Sequence, residues 1–378
     1  KTNSLAGFGS AKGSNEEAYI FQKLIRTGFK TNNVDHCTRL CHASSVAALL
    51  QSVGSAAVSA PFTAVKDSEC IILIGARPEQ NHPVAASYFK QAVKNGTKLI
   101  ILDPRKQSLS RYATHHLQFN PGQDLALLNA MIFTIIEENL TNKEYIENHT
   151  EGFKQLEKEI KKFNPILMEN LCGIPKEIIR KVARIYAKAK TSIIFWGMGI
   201  SQHVHGTQNA FSLINLALIT GHLGKPGTGL HPLRGQNNVQ GASDAGLIPM
   251  SYPDYNSVKI KTNNEKMQKF WNSNLDLNEG KTVVEIIKGI NAGEIKGLYV
   301  QGENPAMSDP DLIHTRKGLA KLDHLVVQDI FMTETAWFAD VILPATTHAE
   351  KLGTYTNTNR QVQIGRNVIE PPKGVKQD

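Results

Sequence analysis

The feature that most constrains the fold is an internal repeat in which a short apolar run is followed by a glycine and two prolines. The segments GARPEQNHP and GENPAMSDP both read G-x-x-P-x-x-x-x-P, and they begin at Gly75 and Gly302. Asp103 lies 28 residues after the first glycine, Asp329 lies 27 residues after the second, and each aspartate ends another apolar run. We therefore predict that the chain contains one αβ module in two copies.

Apolar runs that end in glycine, aspartate or proline are the predicted strands of these modules. They are CIILIG (70–75), KLIILD (98–103), SIIFWG (192–197), GLYVQG (297–302), HLVVQD (324–329) and DVILP (340–344). Continuous apolar runs are typical of strands that are buried on both faces of a parallel sheet. Amphipathic stretches lie between them, so the sequence predicts an α/β fold built on parallel sheets.

The repeated glycine and aspartate indicate what each copy of the module binds. A glycine at the carboxyl end of a strand lets a ligand approach the backbone, and an acid that ends the next strand can accept from a ribose hydroxyl or a base N–H. Two copies predict two nucleotide-like ligands or two halves of one ligand, unless the glycines and prolines only shape loops. A P-loop is excluded because Pro226 follows Lys225, and the dinucleotide fingerprint is not met because Gln202 replaces its last glycine.

Net charge and composition narrow the class of partner. The formal net charge is +8 and the basic residues are dispersed, so we expect small anionic ligands, phosphates above all, and no nucleic acid. No apolar run approaches the roughly 18–20 residues of a membrane helix, so we expect no membrane span. Four cysteines in 378 residues do not make a disulfide scaffold, and reduced cysteines favour a cytoplasmic location.

The segment HCTRLCH places two cysteines and two histidines immediately before a predicted helix. The apolar residues of the following SSVAALLQSVG recur at helical spacing, with Ser44 or Ser45 as the predicted cap and Gly54 as the predicted end. Cys41 and His42 then precede a helix amino terminus, where backbone N–H groups favour a thiolate, so we expect a lowered pKa for Cys41. This position suits a nucleophile or a metal ligand.

Other interpretations of HCTRLCH are possible. A radical iron–sulfur motif C-x-x-x-C-x-x-C needs a cysteine where the chain has Ser44. A zinc site would take all its ligands from one short stretch in which adjacent side chains point apart, and a Cys37–Cys41 disulfide needs a favourable turn and an oxidising compartment. Inert core cysteines are a further alternative. We favour one activated Cys41 with His42 as the proton handler.

Several segments together resemble the catalytic (alpha) subunit of molybdenum formate dehydrogenases, in the dimethyl sulfoxide reductase family of molybdopterin oxidoreductases. They are NNVDHCTRLCHASSVAALLQSVG, DPRKQSLSRYATHHLQFNPGQDLALLNAM, FWGMGISQHVHG, TGHLGKPGTGLHPLRGQNNVQGASD, QGENP and VVQDIFMTETAWFADVILPATTHAEKLGTYTNTNR. The resemblance covers essentially the whole chain. It implies two parallel-sheet domains of the formate dehydrogenase type: residues 1–36 with 237–378 would form one discontinuous domain, and residues 42–232 an inserted Rossmann-like domain.

The same resemblance implies a molybdenum ion held by two molybdopterin guanine dinucleotides, one bound by each domain. Cys41 would bind molybdenum through sulfur, since a soft thiolate suits a metal that dithiolene sulfurs already hold. The implied cofactor-binding residues are Gly75, Asp103 and Arg105 in one copy of the module, Gly302, Glu303, Pro305 and Asp329 in the other, Gln202 and Gln236 along the cofactor, and also Gly122, Asp124, Gly199 and Asn237.

The resemblance further implies oxidation of formate to carbon dioxide, with His42 handling the proton and Arg234 holding the carboxylate in a guanidinium fork. Electrons would leave through a pterin to a [4Fe–4S] cluster and then to an electron-transfer subunit or domain. Arg234 is alternatively a phosphate clamp or a surface residue, and His42 alternatively caps the helix. His203 and His205 are expected to be structural or to contact the cofactor rather than bind metal.

The amino-terminal iron–sulfur domain and the carboxy-terminal cap domain of the family have no counterpart between Lys1 and Asp378, so we expect this part of the protein to be inactive alone. A sister molybdenum reductase, such as a nitrate reductase, is the nearest alternative, although His42 with Arg234 favours formate. A non-catalytic scaffold like the large iron–sulfur subunit of respiratory complex I is a second alternative, against which the retained Cys41 argues. A plain nucleotide-binding module is a third.

Overall fold

A computed structural model describes residues 2–378. The β-strands of the described chain are β1 (Leu5–Gly9), β2 (Val34–His36), β3 (Cys70–Ile74), β4 (Lys98–Leu102), β5 (His115–Leu117), β6 (Ser192–Trp196), β7 (Gly229–Pro232), β8 (Gly297–Gln301), β9 (His324–Asp329), β10 (Val341–Pro344), β11 (Gly353–Thr356) and β12 (Val362–Gly365). Its α-helices are α1 (Asn15–Thr27), α2 (Thr38–Cys41), α3 (Ala43–Val53), α4 (Pro78–Asn81), α5 (Pro83–Lys94), α6 (Asp124–Glu137), α7 (Lys143–His149), α8 (Phe153–Glu159), α9 (Pro165–Cys172), α10 (Lys176–Lys188), α11 (Met198–Ser201), α12 (Gly206–Thr220), α13 (Val239–Asp244), α14 (Lys261–Trp271), α15 (Val283–Asn291), α16 (Pro305–Ser308) and α17 (Leu312–Leu319). Short 3₁₀ helices lie at Thr2–Ser4, Phe62–Asp67, Ser108–Tyr112, Ile160–Phe163, Pro253–Tyr255, Ala336–Phe338 and His348–Glu350. Within residues 2–378, no helix has both the length and the apolar character that crossing a bilayer requires.

The contacts divide the chain into two compact units. One, here called the discontinuous unit, comprises Lys1–Leu40 and Gln236–Asp378, and the other, the inserted unit, comprises Cys41–Gly235. That each unit is a domain with a dinucleotide site of its own stays a prediction.

The inserted unit is built on a five-stranded parallel sheet in the order β5-β4-β3-β6-β7. Every residue of β3 and β6 is buried. Ile72 and Ile194 belong to a core cluster with α6, α10 and α12, whereas Leu73 and Phe195 belong to a second cluster with Phe89 of α5. Apolar packing on both faces explains why these strands are continuous apolar runs in the sequence.

The discontinuous unit has a parallel sheet in the order β10-β9-β8-β1-β2, and β11 and β12 pair separately as an antiparallel hairpin. Phe8 and Val300 of this sheet pack with Ile286 of α15, and Phe21 of α1 packs with Val34 in a second cluster. Both sheets are parallel and covered by helices, which confirms the predicted α/β class.

The sequence repeat forms the same structure in each unit. The strands β3-β4-β5 and β8-β9-β10 are neighbours in the same order, and the other two strands of each sheet follow on the far side of β3 or β8. Gly75 and Gly302 come directly after β3 and β8 with φ angles of 56° and 64°, a left-handed conformation that glycine adopts without strain. Pro78 and Pro305 then begin the short helices α4 and α16. The predicted αβ module is therefore present twice.

Candidate functional site

A pocket of about 350 Å³ lies at the carboxyl edge of the sheet in the inserted unit and is called the inserted-unit pocket. Strand order reverses between β3 and β6, and open α/β sheets bind ligands at such reversals. A Cβ atom on Gly75 would lie 2.8 Å from the carbonyl carbon of Gly199. The backbone segments after β3 and β6 can therefore approach this closely only because both positions are glycine. The predicted cofactor-binding residues that line this pocket are Gly75, Asp103, Arg105, Gly122, Asp124 and Gly199.

The discontinuous unit has a pocket of about 340 Å³ at the equivalent place, called the discontinuous-unit pocket. It lies where β8 and β1 end, again at a reversal of strand order. A Cβ atom on Gly302 would lie 3.2 Å from the Cβ of Ser10, so these two loops also approach closely. Gly302, Glu303 and Asp329 line the pocket, whereas Pro305 is buried at the start of α16 and does not line it.

Lys12 and Glu303 form the charged centre of the discontinuous-unit pocket. Ser10 Oγ donates to Glu303 Oε1 at 2.8 Å, and Lys12 Nζ lies 3.4 Å from the same oxygen. Lys12 Nζ also donates to the Gly302 carbonyl at 3.0 Å. Burial raises the pKa of Glu303 against the opposing charge of Lys12, and burial with the charge of Glu303 raises the pKa of Asp309 to about 7. The pocket thus offers a cation for phosphate and acids for N–H or O–H donors.

Two aspartates supply the acids of the inserted-unit pocket. The backbone N–H of Arg105 donates to Asp103 Oδ1 at 2.8 Å, and His203 Nε2 lies 4.0 Å from Asp124 Oδ2. Burial raises the pKa of both Asp103 and Asp124. Arg77 and Arg105 line the same pocket. Acids beside guanidinium groups suit a ligand that carries both base N–H donors and phosphates.

Cys41 is the first residue of the inserted unit. Its Sγ lies 3.2 Å from Sδ of Met198, a residue that lines the inserted-unit pocket. Burial raises the pKa of Cys41 to about 11, although the charge of Arg234 opposes this. The prediction of a lowered pKa is therefore wrong, because removing the thiol from water outweighs the effect of the following helix terminus. A metal ion that binds the sulfur deprotonates it.

Helix α3 begins directly after His42 and not at the predicted caps. Its end at Gly54, with φ of 72°, is as predicted. Ser44 Oγ instead donates to the Ser201 carbonyl at 2.6 Å, and Ser45 Oγ lies 2.6 Å from Ser201 Oγ. These hydroxyls form hydrogen bonds with Ser201 at the end of α11, so they do not cap α3. His42 occupies the N-cap position of α3, but its side chain makes no capping hydrogen bond.

The imidazole of His42 is fully buried and both of its ring nitrogens have partners. Nδ1 lies 3.1 Å from Ser201 Oγ, and Nε2 lies 3.2 Å from the Leu233 carbonyl oxygen. Because a carbonyl can only accept, Nε2 carries the hydrogen and Nδ1 accepts from Ser201. Burial and the charge of Arg234 lower the pKa of His42 to about 3. Proton handling by His42 stays a prediction.

Arg234 is buried, with 4% of its surface exposed, so it is not a surface residue. Its Nη2 donates to the Ala56 carbonyl at 2.6 Å. Its charge lowers the pKa of both Cys41 and His42, and its two sequence neighbours line the inserted-unit pocket. The structure therefore brings together the three residues predicted to be catalytic, although their roles stay predictions.

Besides Pro305, three residues predicted to contact the cofactor lie outside both pocket linings. Gln202 is exposed at the end of α11. In the discontinuous unit, Gln236 Oε1 accepts from Cys37 Sγ at 2.5 Å, and Asn237 Nδ2 donates to the Lys12 carbonyl at 3.2 Å. Direct contact of these residues with a cofactor stays a prediction.

Sequence reasoning missed Met198, His82 and Lys12. His82 lines the inserted-unit pocket and directly precedes the second proline of the repeat. That position was a usable signal, because proline restricts the backbone of the residue before it. Lys12 follows β1, a strand whose short sequence LAGFG gave no apolar run. Nothing in the sequence marks Met198 beyond its place after β6.

The residues present fit a metal that is held mainly by ligands from outside the chain. Among residues 2–378, no three His, Cys, Asp or Glu side chains are placed together to hold a metal ion. Cys41 offers one soft donor, which suits molybdenum among dithiolene sulfurs. A Cβ atom on Gly122 or Gly235 would meet no atom within 4 Å, so the inserted-unit pocket is open beside both glycines. One soft thiol near an open pocket fits a molybdenum cofactor.

Comparison with known proteins identifies the family of the chain and several of its relatives. The protein family described as Molybdopterin oxidoreductase matches residues 1–378. The chain is 45% identical over 371 residues to the F420-dependent formate dehydrogenase subunit alpha of Methanocaldococcus jannaschii, a match that covers 98% of this chain and 55% of that protein. It is 41% identical over 372 residues to formate dehydrogenase H of Escherichia coli, covering 98% of this chain and 52% of that protein. The chain thus spans about half the length of the curated relatives it matches.

Among solved structures, acetylene hydratase from Pelobacter acetylenicus is similar, with a TM-score of 0.81 over 100% of this chain and 54% of that chain. At 22% sequence identity this likeness shows the fold alone, and a shared fold does not decide the reaction. The predicted fold type and the predicted family are both confirmed. On the family match over its whole length and on its relatives, the chain belongs to the molybdopterin oxidoreductase family.

Proposed function

We propose that the full-length protein oxidises formate to carbon dioxide at a molybdenum centre held by two molybdopterin guanine dinucleotides. The observation that carries this proposal is the placement of Cys41, whose sulfur contacts Met198 of the inserted-unit pocket and whose pKa is lowered by the charge of the buried Arg234 guanidinium. A thiolate suits molybdenum, and a guanidinium fork suits a carboxylate. The relatives named as formate dehydrogenases support the choice of substrate.

In this proposal each unit contributes one dinucleotide site. Asp103 of the inserted-unit pocket accepts hydrogen bonds from the nucleoside, and Arg105 binds phosphate. Asp329 and Glu303 supply the acids of the discontinuous-unit pocket, and Lys12 supplies its cation. The similar volumes of the two pockets, about 350 and 340 Å³, and their equivalent places in the repeat support this assignment.

The bound cofactor supplies an acceptor for the two electrons that formate gives up as it becomes carbon dioxide and a proton. The residues of the chain bind and orient the substrate. Arg234 pairs with both carboxylate oxygens through parallel N–H donors, and its burial strengthens this pairing because little water competes. Cys41 gives up its thiol proton when Sγ binds the metal.

His42 is proposed to handle the formate proton because it adjoins the metal ligand. Its pKa of about 3 and its two hydrogen bonds make it a neutral, occupied imidazole in the described conformation. Since Nε2 already carries a hydrogen, the ring accepts a proton only at Nδ1, after the hydrogen bond from Ser201 is broken.

Electrons are proposed to leave through a pterin to a [4Fe–4S] cluster of the full-length protein and then to an electron-transfer subunit or domain. None of the four cysteines of the chain forms a disulfide, and reduced cysteines support the proposed cytoplasmic location.

Formate-dependent reduction of a viologen dye without oxygen tests this function. The assay uses the full-length protein loaded with molybdenum, with Arg234→Gln as the test variant. We expect turnover by the wild type and a loss of about 100-fold or more in kcat/KM for Arg234→Gln at equal molybdenum content. Arg180→Gln, which removes a cation paired with Glu137 elsewhere in the same unit, is the control. A wild type that holds molybdenum and pterin but does not oxidise formate would contradict the proposal, and nitrate would then be tested.

A further inference from the structure

Two imidazole rings hold the backbone on either side of the Arg234 Cα atom. His42 Nε2 lies 3.2 Å from the carbonyl oxygen of Leu233, and His82 Nε2 lies 2.6 Å from the carbonyl oxygen of Arg234. Both acceptors are carbonyls, so both imidazoles donate an N–H. Two consecutive peptide groups are thereby fixed by side chains that come from separate parts of the inserted unit.

A chain of buried hydrogen bonds is compatible with the direction of the His42 contact that the Leu233 carbonyl requires. Trp196 Nε1 donates to Ser45 Oγ at 2.8 Å, Ser45 Oγ lies 2.6 Å from Ser201 Oγ, and Ser201 Oγ lies 3.1 Å from His42 Nδ1. Ser45 Oγ accepts from the indole N–H and can donate its own hydrogen to Ser201, whose hydrogen then goes to Nδ1. In this arrangement His42 Nε2 carries the hydrogen that the Leu233 carbonyl receives.

His82 lines the inserted-unit pocket, and its position in the repeat indicates a role besides dinucleotide binding. His82 directly precedes Pro83, and the matching residue of the second copy, directly before Pro310, is Asp309. Both copies have a pocket, but only the inserted unit contains Arg234. The histidine of this position and the arginine whose carbonyl it contacts are thus found together in the inserted unit only.

Two further hydrogen bonds hold the Leu233–Arg234 segment in place. The backbone N–H of Leu233 donates to the Trp196 carbonyl at 2.7 Å, which extends the β6–β7 pairing by one residue. Nη2 of Arg234 donates to the Ala56 carbonyl at 2.6 Å. Without His82, the carbonyl at the far end of this segment loses its side-chain donor.

We propose that His82 is a positioning residue which, together with His42, fixes the Leu233–Arg234 backbone and so aims the Arg234 guanidinium at a carboxylate substrate. This inference rests on the proposed formate-binding role of Arg234. It adds a residue that acts on the substrate through the backbone of Arg234, whose carbonyl oxygen accepts from His82 Nε2.

The test compares His82→Phe, which removes the N–H donor, with His82→Gln, which keeps an N–H donor on a side chain of similar reach. His149→Gln, an exposed histidine of α7, is the control. Amide hydrogen exchange of full-length protein, followed by mass spectrometry over residues 229–238, reports the segment without substrate. Exchange in β3 shows whether the fold is intact, and His82→Ala replaces His82→Phe if the latter does not fold.

We expect faster exchange over residues 229–238 in His82→Phe, near-normal exchange in His82→Gln, and unchanged exchange in β3. In turnover assays we expect the KM for formate to rise about tenfold in His82→Phe, the effect of one lost hydrogen bond, with a smaller change in kcat. Normal exchange in His82→Phe, or a normal KM despite faster exchange, would overturn the proposal. If the wild type does not oxidise formate, the proposed function fails, but the exchange comparison still decides whether His82 holds the segment.

Discussion

The sulfur atoms of Cys41 and Met198 lie 3.2 Å apart at the inserted-unit pocket. A thioether is a weak hydrogen-bond acceptor, so Met198 holds the thiol in place without strongly stabilising it in either protonation state. Burial then decides the protonation, and it raises the pKa of Cys41 to about 11. In the metal-free protein Cys41 is thus a neutral thiol at the place where a soft metal would be bound.

This state predicts unusually slow alkylation of Cys41 in the metal-free full-length protein. Only the thiolate reacts, so the rate with iodoacetamide should keep rising about tenfold per pH unit from about pH 7 to pH 10. An ordinary thiol with a pKa of about 8.5 would level off near pH 9. Peptide mass spectrometry measures the rate at Cys41, with glutathione in the same tube as the control. A rate at Cys41 that levels off below pH 9 would show that the pKa is not raised.

Arg234 should influence the same rate through its charge alone. The guanidinium lowers the pKa of Cys41, so Arg234→Gln should raise that pKa further and slow alkylation at pH 9 severalfold. Arg180→Gln removes a cation elsewhere in the unit and should leave the rate unchanged. Equal alkylation of Arg234→Gln and the wild type would mean that the two side chains do not interact, and the account of the site would lose its main support.

Three glycine-to-alanine substitutions should destabilise the fold to increasing degrees, according to how closely the added Cβ atom would approach its neighbours. Gly54→Ala meets no atom within 4 Å at φ of 72°, so it should cost only the left-handed backbone strain of about 1 kcal/mol. Gly302→Ala should cost more, because its Cβ would lie 3.2 Å from that of Ser10. Gly75→Ala should cost about 3 kcal/mol or more, since its Cβ would lie 2.8 Å from the backbone of Gly199. The midpoints of urea unfolding measure the order, and a Gly75→Ala protein as stable as Gly54→Ala would refute the close approach.

Asp309 predicts a dependence of stability on pH. Its pKa is raised from 3.8 to about 7 by burial and by Glu303, so the folded protein binds a proton that the unfolded chain releases. This stabilising contribution is complete below about pH 4 and is lost as the pH rises to about 7. Asp309→Asn should therefore be more stable than the wild type at pH 8 by about 1–3 kcal/mol, with the difference fading towards pH 4. Unfolding at both pH values tests this, and an Asn variant that is less stable at pH 8 would exclude it.

The sheets could be predicted from the sequence because strands that are buried on both faces consist mainly of apolar residues. The apolar runs at 70–75 and 324–329 became β3 at Cys70–Ile74 and β9 at His324–Asp329. The repeat then placed Gly75 and Gly302 at equivalent strand ends. In contrast, β2 and β7 have the short sequences VDH and GLHP, which are buried without forming an apolar run, and both were missed.

The electrostatics of the site could not be predicted from local sequence. The expected low pKa of Cys41 rested on the helix that follows it, but the thiol is buried beside Met198, 157 residues further along the chain. Likewise, the caps expected at Ser44 and Ser45 gave way to hydrogen bonds with Ser201. Such tertiary contacts outweigh the local signal, because they decide how much water each group keeps.

The central claim is that Cys41 is the side chain of this protein that binds molybdenum, and X-ray absorption at the molybdenum edge tests it most directly. The measurement compares the full-length protein with its Cys41→Ser variant at known molybdenum content. We expect that the variant loses a sulfur neighbour of molybdenum and gains a lighter one, or fails to retain the metal. An unchanged sulfur shell at equal metal content would contradict it.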